Sequence, residues 1–199
     1  MAKSPTPALA PFLRSDTVGN ILAELYAWPD EERTLSELAS HTGVGITTVQ
    51  REVERLVSAG VIADRRVGMN RLVRVNPWYP LNSPLRELVL AIYGPEPILR
   101  KLVGGIPGVE LAFIYGSWAA RRQGQSGTFP RDIDLLLVGD VPIDGIVEAQ
   151  LEARAQLGKE VNIHRISRSE FNNPEGGFLT TLLKNQMISL IGEVDSVAP

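Results

Sequence analysis

Two carboxylates, Asp132 and Asp134, stand two residues apart at the start of an apolar run that ends near Val138. Side chains alternate faces along a strand, so the two acids project together while Ile133 points to the opposite face. Paired oxygen ligands suit Mg²⁺, which takes a few carboxylates and completes its shell with substrate phosphates. Upstream, Leu111-Ala112-Phe113-Ile114-Tyr115 leads into Gly116-Ser117. That reads as a buried strand opening onto a tight turn. A Gly-Ser turn can bring backbone N–H groups and a hydroxyl up to a phosphate. Together these residues point to metal-assisted handling of a nucleoside triphosphate. An isolated Asp-x-Asp would carry little weight, because solvated acids at strand ends are commoner than metal ligands.

The stretch FIYGSWAARRQGQSGTFPRDIDLLLVG resembles the nucleotidyltransferase superfamily (DNA polymerase beta-like) in its minimal form. The resemblance implies that Gly116 and Ser117 hold the triphosphate. It also implies that Asp132 and Asp134 are the catalytic metal ligands, with Mg²⁺ in a two-metal site if the protein is active. Members of the superfamily usually add a third carboxylate on the next strand, expected here over Lys159 to Ile166. Asn162 stands at that position, and an amide is a poorer ligand because it carries no charge. Glu160 shares its face and is the substitute ligand; His164 shares it too and reads as structural. "GKEVN" followed by Ser167-Arg168-Ser169-Glu170-Phe171 resembles helix-turn-helix-fused nucleotidyltransferase-like proteins. The loop Trp118 to Arg131 is expected to be long, with Gly124, Ser126 and Gly127 suggesting mobility. Arg121 and Arg122 either reach onto a triphosphate or are solvated, and Arg131 is placed to pair with the acids when no metal is bound.

The elements ahead of this region follow a helical period. Val18, Ile21, Leu22, Leu25 and Tyr26 mark a helix from about Asp16, closed by Pro29-Asp30-Glu31-Glu32. Thr34-Leu35-Ser36-Glu37 has the capping-box form, and Gly43 suits the left-handed position past a helix end. Thr47-Thr48-Val49-Gln50 reads as a second capping box, opening a helix with Val49, Val53, Leu56 and Val57 inward. Two strands then flank the turn Val67-Gly68-Met69-Asn70. Short helix, tight turn, second helix and basic hairpin make the layout of a winged helix-turn-helix. LSELASHTGVGITTVQREVERLVSAGVIADRR resembles winged-helix regulators of the ArsR and MarR type. That implies a recognition helix presenting Thr47, Thr48, Gln50 and Arg51 to double-stranded DNA, with Arg65, Arg66 and Arg71 in the wing. By the same analogy a homodimer is expected. A protein-docking winged helix with solvated arginines is the alternative.

The expected architecture is a two-domain α/β (α+β) protein. A loose tail covers 1–15, the winged helix 16–80, connecting helices 81–104, and a nucleotidyltransferase-like mixed sheet with flanking helices 105–199. Asn76-Pro77-Trp78-Tyr79-Pro80 marks the edge of the first domain, and Pro84 is placed at the first position of the next helix. A helix from Ile143 to Leu157, amphipathic through Ile146, Val147, Ala149 and Leu151, is expected after the acidic strand. Another is expected over Gly176 to Lys184, with a last strand near Met187 to Ile191.

Of the 199 residues 44% are apolar and 22% charged, which argues against disorder. There is no cysteine, and only His41 and His164 among histidines. Disulfides, thiolate metal sites and a histidine-rich zinc centre are thereby excluded, and a cytoplasmic location is expected. No apolar run approaches the ~20 residues of a membrane helix. Net charge is −3, yet the segment from Gly45 to Val75 is locally basic. The sequence supports a DNA-binding transcriptional regulator whose transferase-like domain binds Mg-nucleoside triphosphate. The alternative is an active, antitoxin-like transferase acting on a protein or RNA, with the winged helix as docking module. An aminoglycoside-type transferase fits less well, because nothing resembles an acceptor-binding domain.

Overall fold

The computed structural model describes residues 13–174, 177–185 and 187–192, apart from the side chains of Phe178 and Lys184. Residues 1–12 of the expected tail, and Gly176 of the expected helix, lie outside them. The chain divides into two compact units, the first ending at Pro95 and the second beginning at Glu96.

In the first unit, α1 (Asp16–Ala27) is buried along most of its length, with Ile21, Leu22, Leu25 and Tyr26 almost wholly enclosed. A two-residue strand β1 (Arg33–Thr34) precedes α2 (Leu35–Thr42) and α3 (Ile46–Ser58). The hairpin β2 (Ile62–Val67) and β3 (Asn70–Val75) follows, and the sheet order is β1-β3-β2, all antiparallel. This is a winged helix-turn-helix. The Thr34 hydroxyl accepts from the Glu37 N–H at 3.1 Å while Glu37 accepts from the Thr34 N–H at 2.7 Å, closing the capping box. Gly43 sits at φ +68, the left-handed conformation that ends α2. The second capping box does not form. Gly45 is the N-cap of α3, and its carbonyl accepts from the N–H groups of Thr48 and Val49 at 2.9 and 3.2 Å. Thr47 is therefore already inside the first turn.

α4 (Asn82–Tyr93) completes this unit by packing on α1. A Cβ on Gly19 would fall 2.5 Å from the Tyr93 ring, so glycine is what lets that ring lie on α1. The Tyr93 hydroxyl donates to Asp16 at 2.8 Å. Pro84 is the third residue of α4 rather than the first, still within the turn whose N–H groups have no helical partner.

Beneath the wing, Glu24 and Arg33 are 8% and 7% exposed and joined at 2.7 Å, and His41 Nδ1 lies 3.1 Å from the same Glu24 oxygen. Burial pushes the Glu24 carboxyl up, but the hydrogen bonds from His41 and Arg33 outweigh it and hold Glu24 below the usual carboxylate range. The hydrogen bond to Glu24 raises His41 above an ordinary histidine.

The second unit begins in α5 (Pro95–Gly104) and continues through β4 (Val109–Tyr115), α6 (Gly116–Arg122), β5 (Asp132–Gly139), α7 (Ile143–Leu157) and β6 (Glu160–Ile166). It closes with α8 (Arg168–Asn172), α9 (Gly177–Lys184) and β7 (Ile188–Ile191). The sheet order is β6-β5-β4-β7, with β5 and β6 parallel and the other pairs antiparallel. The parallel pair requires a crossover, and α7 supplies it. Register aligns Tyr115 with Asp134 and Asp134 with Asn162, and likewise Phe113 with Leu136 and Leu136 with His164. One face is thus apolar at one end and polar at the other. At the apolar end, Leu111, Phe113, Leu136 and Val138 pack under Phe171, Leu179 and Leu182, and the Phe113 and Phe171 rings stack at 5.9 Å.

Candidate functional site

The polar end is built by three strands. Asp132 and Asp134 leave β5 on the face shared with Tyr115 and Asn162, while Ile133 is fully buried on the other side. The Asn162 amide donates to Asp132 and to Asp134, both at 3.1 Å. A neutral amide therefore ties the two acids together where the superfamily resemblance implies a third carboxylate. Glu160 aligns with Asp132 but forms an ion pair with Arg154 at 2.8 Å. Arg131 is exposed and makes no ion pair with either acid.

The chain passes directly from β4 into the short helix α6, with Tyr115 as N-cap, so the expected loop from Trp118 to Arg131 is shortened to 123–131. Trp118 and Ala119 are buried and pin this helix against β4 and β5, which is why no loop begins there. Gly116 sits at φ +73, and a Cβ on it would fall 2.7 Å from an Asp134 carboxylate oxygen. Only glycine meets both demands, the left-handed backbone and the close approach.

Beside this contact lies a cavity of about 490 Å³, lined by Tyr115, Gly116, Ser117, Arg121, Leu182 and Asn185 among others. The Arg121 Nε is buried without a hydrogen-bond partner among the described residues. Gly127 makes room for that guanidinium, since a Cβ there would come within 2.6 Å of it. Arg122 turns elsewhere and pairs with Glu96 at 2.8 Å. The Asn185 amide donates to the Thr181 carbonyl at 2.8 Å, which leaves its oxygen free to accept. Burial, with the Asp134 charge adding, pushes the Tyr115 hydroxyl up, so it stays a protonated donor at neutral pH. The lining residues of α9 carry no motif. Only the sheet's fold-back, which sets α9 over β4, brings them here.

Among the described residues no group of three or more histidines, cysteines or acids could hold a metal ion. Two carboxylates suffice for one Mg²⁺ that arrives with phosphates, but a closed two-metal cage lacks its third acid.

On the winged helix, Thr47, Gln50 and Arg51 are exposed on the first turns of α3, with Thr48 half-buried. Carboxylates shadow several of the basic side chains. Gln50 donates to Glu54 at 3.2 Å, and Arg51 lies 3.4 Å from the buried Glu52. Arg65 forms a two-pronged pair with Glu32, at 2.8 and 2.5 Å. Arg71 bonds Asp64 at 2.7 Å and approaches Glu54 at 3.8 Å. Arg66, cross-strand from Arg71, is exposed and has no ion pair among the described residues. The sequence did not show these couplings, because Glu32 and Arg65 are 33 residues apart.

No protein-family model matches the chain, and no curated protein matches it. Solved structures give partial likenesses. The transcriptional regulator BldR from Sulfolobus solfataricus is 16% identical with a TM-score of 0.37, over 51% of this chain and 70% of its own. A homodimeric winged helix-turn-helix DNA-binding domain from Mycobacterium bovis is 24% identical with a TM-score of 0.29, over 46% of this chain and 88% of its own. A chain from the complex of a tri-AMPylated HEPN toxin with MNT antitoxin from Shewanella oneidensis is 16% identical with a TM-score of 0.34, over 51% of this chain and 73% of its own. At these scores the likenesses are partial, and the chemistry rests on the residues themselves.

Proposed function

We propose that this protein is a DNA-binding regulator whose second, nucleotidyltransferase-like unit binds a nucleoside triphosphate with Mg²⁺. One observation carries the nucleotide half: the Gly116 backbone lies against the Asp134 carboxylate at the edge of a cavity that also holds Ser117 and the unpartnered Arg121. A hydroxyl and a guanidinium in one cavity, with the Asp134 carboxylate against its Gly116 edge and Asp132 on the same strand face, suit a triphosphate, with Arg121 as the planar fork for its oxygens. Bound Mg²⁺, held by Asp132 and Asp134, would offset phosphate charge. The rest of the cavity, Leu182 with Tyr115 and the free Asn185 oxygen, suits a flat heteroaromatic base bearing an amino group. Asn162 in place of a third acid favours binding over nucleotide transfer. The test is equilibrium binding of fluorescent triphosphates by the full chain with Mg²⁺ or with EDTA. Binding that needs Mg²⁺ and weakens about tenfold or more in Arg121→Ala is expected. Binding indifferent to both contradicts the proposal.

For the winged helix, exposed Gln50 and Arg51 on α3 and the unpaired Arg66 on the wing support contact with double-stranded DNA by a homodimer. Arg65 and Arg71, already paired with carboxylates, contribute less. In binding measurements across a salt series, Arg51→Ala and Arg66→Ala should each lower the salt slope by about one. Unchanged slopes in both variants would favour a protein-docking winged helix instead.

A further inference from the structure

The sequence groups Val147 and Leu151 with Ile146 and Ala149 as the apolar side of α7, but Val147 and Leu151 are not buried. Ile146, Ala149, Ala153 and Leu157 face the sheet, whereas Ile143, Val147 and Leu151 are 60%, 48% and 65% exposed. Their spacing of four residues makes one continuous apolar row on the outer surface. Asp144, Glu148 and Glu152, each one residue further on, make a second row beside it. Asp144 and Glu148 have no ion pair among the described residues, and Glu152 accepts only from Gln156, at 2.7 Å.

The acidic row runs between the open apolar row and a groove. On one side Val147 and Leu151 form an open, shallow apolar face. On the other a groove of about 380 Å³ is floored by Leu102, Ile106 and Pro107, and Glu148 and Glu152 border both. Gly145 permits this arrangement, because a Cβ there would meet Ile106 at 2.9 Å. An exposed apolar row rimmed by charged residues is the kind of surface that marks an interaction site.

We propose that this face docks an amphipathic helix of a partner protein that carries lysines or arginines in one row and apolar residues in the adjacent row. The partner's cations would lie along Glu148 and Glu152, and its apolar side chains would pack on Val147 and Leu151. A second copy of the same face is a poor occupant. The only cation on α7 is Arg154, which pairs with Glu160 at 2.8 Å, so acid would meet acid. This inference stands apart from the nucleotide and DNA proposals.

The test uses the full chain and two synthetic helical peptides. One carries a leucine row beside a lysine row; in the other, glutamates replace the lysines. Fluorescence anisotropy should show saturable binding of the lysine peptide and none of the glutamate peptide. Affinity should fall about tenfold or more in Glu148→Lys/Glu152→Lys and, separately, in Leu151→Ser. All three positions are exposed, so the fold should survive, and circular dichroism checks it. Equal binding of both peptides, or binding untouched by both variants, overturns the proposal. A wild-type dimer that becomes a monomer in Ile143→Ser/Leu151→Ser also overturns it, since the face would then belong to a second copy.

Discussion

Replacing Asn162 by aspartate should turn a self-contained site into a metal-dependent one. The amide now donates to Asp132 and Asp134 at 3.1 Å each. Asn162→Asp removes both donors and brings a third negative oxygen to the same two neighbours. Unit charges 4 Å apart repel by about 1 kcal/mol in bulk water and by more where the dielectric is lower, so two pairs at hydrogen-bond range cost about 2–4 kcal/mol. Two lost hydrogen bonds add up to about 1 kcal/mol each. Rotation of the new carboxylate into solvent relieves part of this, and about 2 kcal/mol is expected to remain. With a urea slope of about 2 kcal/mol per molar, the unfolding midpoint in EDTA should fall by about 1 M. Mg²⁺ should restore most of the loss in the variant, while wild type without nucleotide should respond little. Urea titration followed by circular dichroism, with EDTA and with Mg²⁺, reads both effects. An Asn162→Asp variant as stable as wild type in EDTA and indifferent to Mg²⁺ would refute the amide's role as a bridge between the acids.

Gly116→Ala should cost about 1–2 kcal/mol for a side chain at φ +73. It should also weaken Mg-nucleotide binding, because the new Cβ collides with the Asp134 carboxylate; isothermal titration checks the affinity and urea unfolding the stability. Arg33→Met leaves the buried Glu24 carboxylate with His41 alone, and a loss of about 3 kcal/mol is expected in chemical denaturation. Adding Glu24→Leu should recover much of that loss, which a purely steric defect would not. His41 has a raised pKa in the folded unit, so its contribution is fully present below about pH 6.5 and fades as pH rises through the folded value. His41→Gln should flatten that part of the stability–pH curve measured by thermal unfolding, and an unchanged slope would remove His41 as its source.

Local rules made much of this fold legible. The Thr34–Glu37 box and Gly43 fix the ends of α2 through contacts within four residues. The bounds of α7 were also readable, from the turn ending at Pro142 and the amphipathic pattern that follows it, and Gly158 in the left-handed conformation caps its end. Strand alternation gave the common face of Asp132 and Asp134. What the sequence hid depends on partners far along the chain. Thr47 and Gln50 matched a capping pattern, yet Gly45, only two residues past the left-handed Gly43, already turns the chain into α3. The pairing of Arg65 with Glu32 and of Arg122 with Glu96 neutralises side chains that local composition counts as free cations. The burial of Trp118 draws the first residues of an expected loop into α6, and 123–131 remain outside helix and strand. In α7, apolar spacing groups Val147 and Leu151 with Ile146 and Ala149, whereas the sheet covers one side of the helix and leaves Val147 and Leu151 outside.

The most direct test of the central claim is calorimetric titration of each nucleoside triphosphate, with Mg²⁺, into wild type and Asp132→Asn/Asp134→Asn. The account predicts saturable heat in wild type that disappears with EDTA and in the double variant. No binding of any triphosphate by folded wild type, or binding the double variant retains in full, would contradict it.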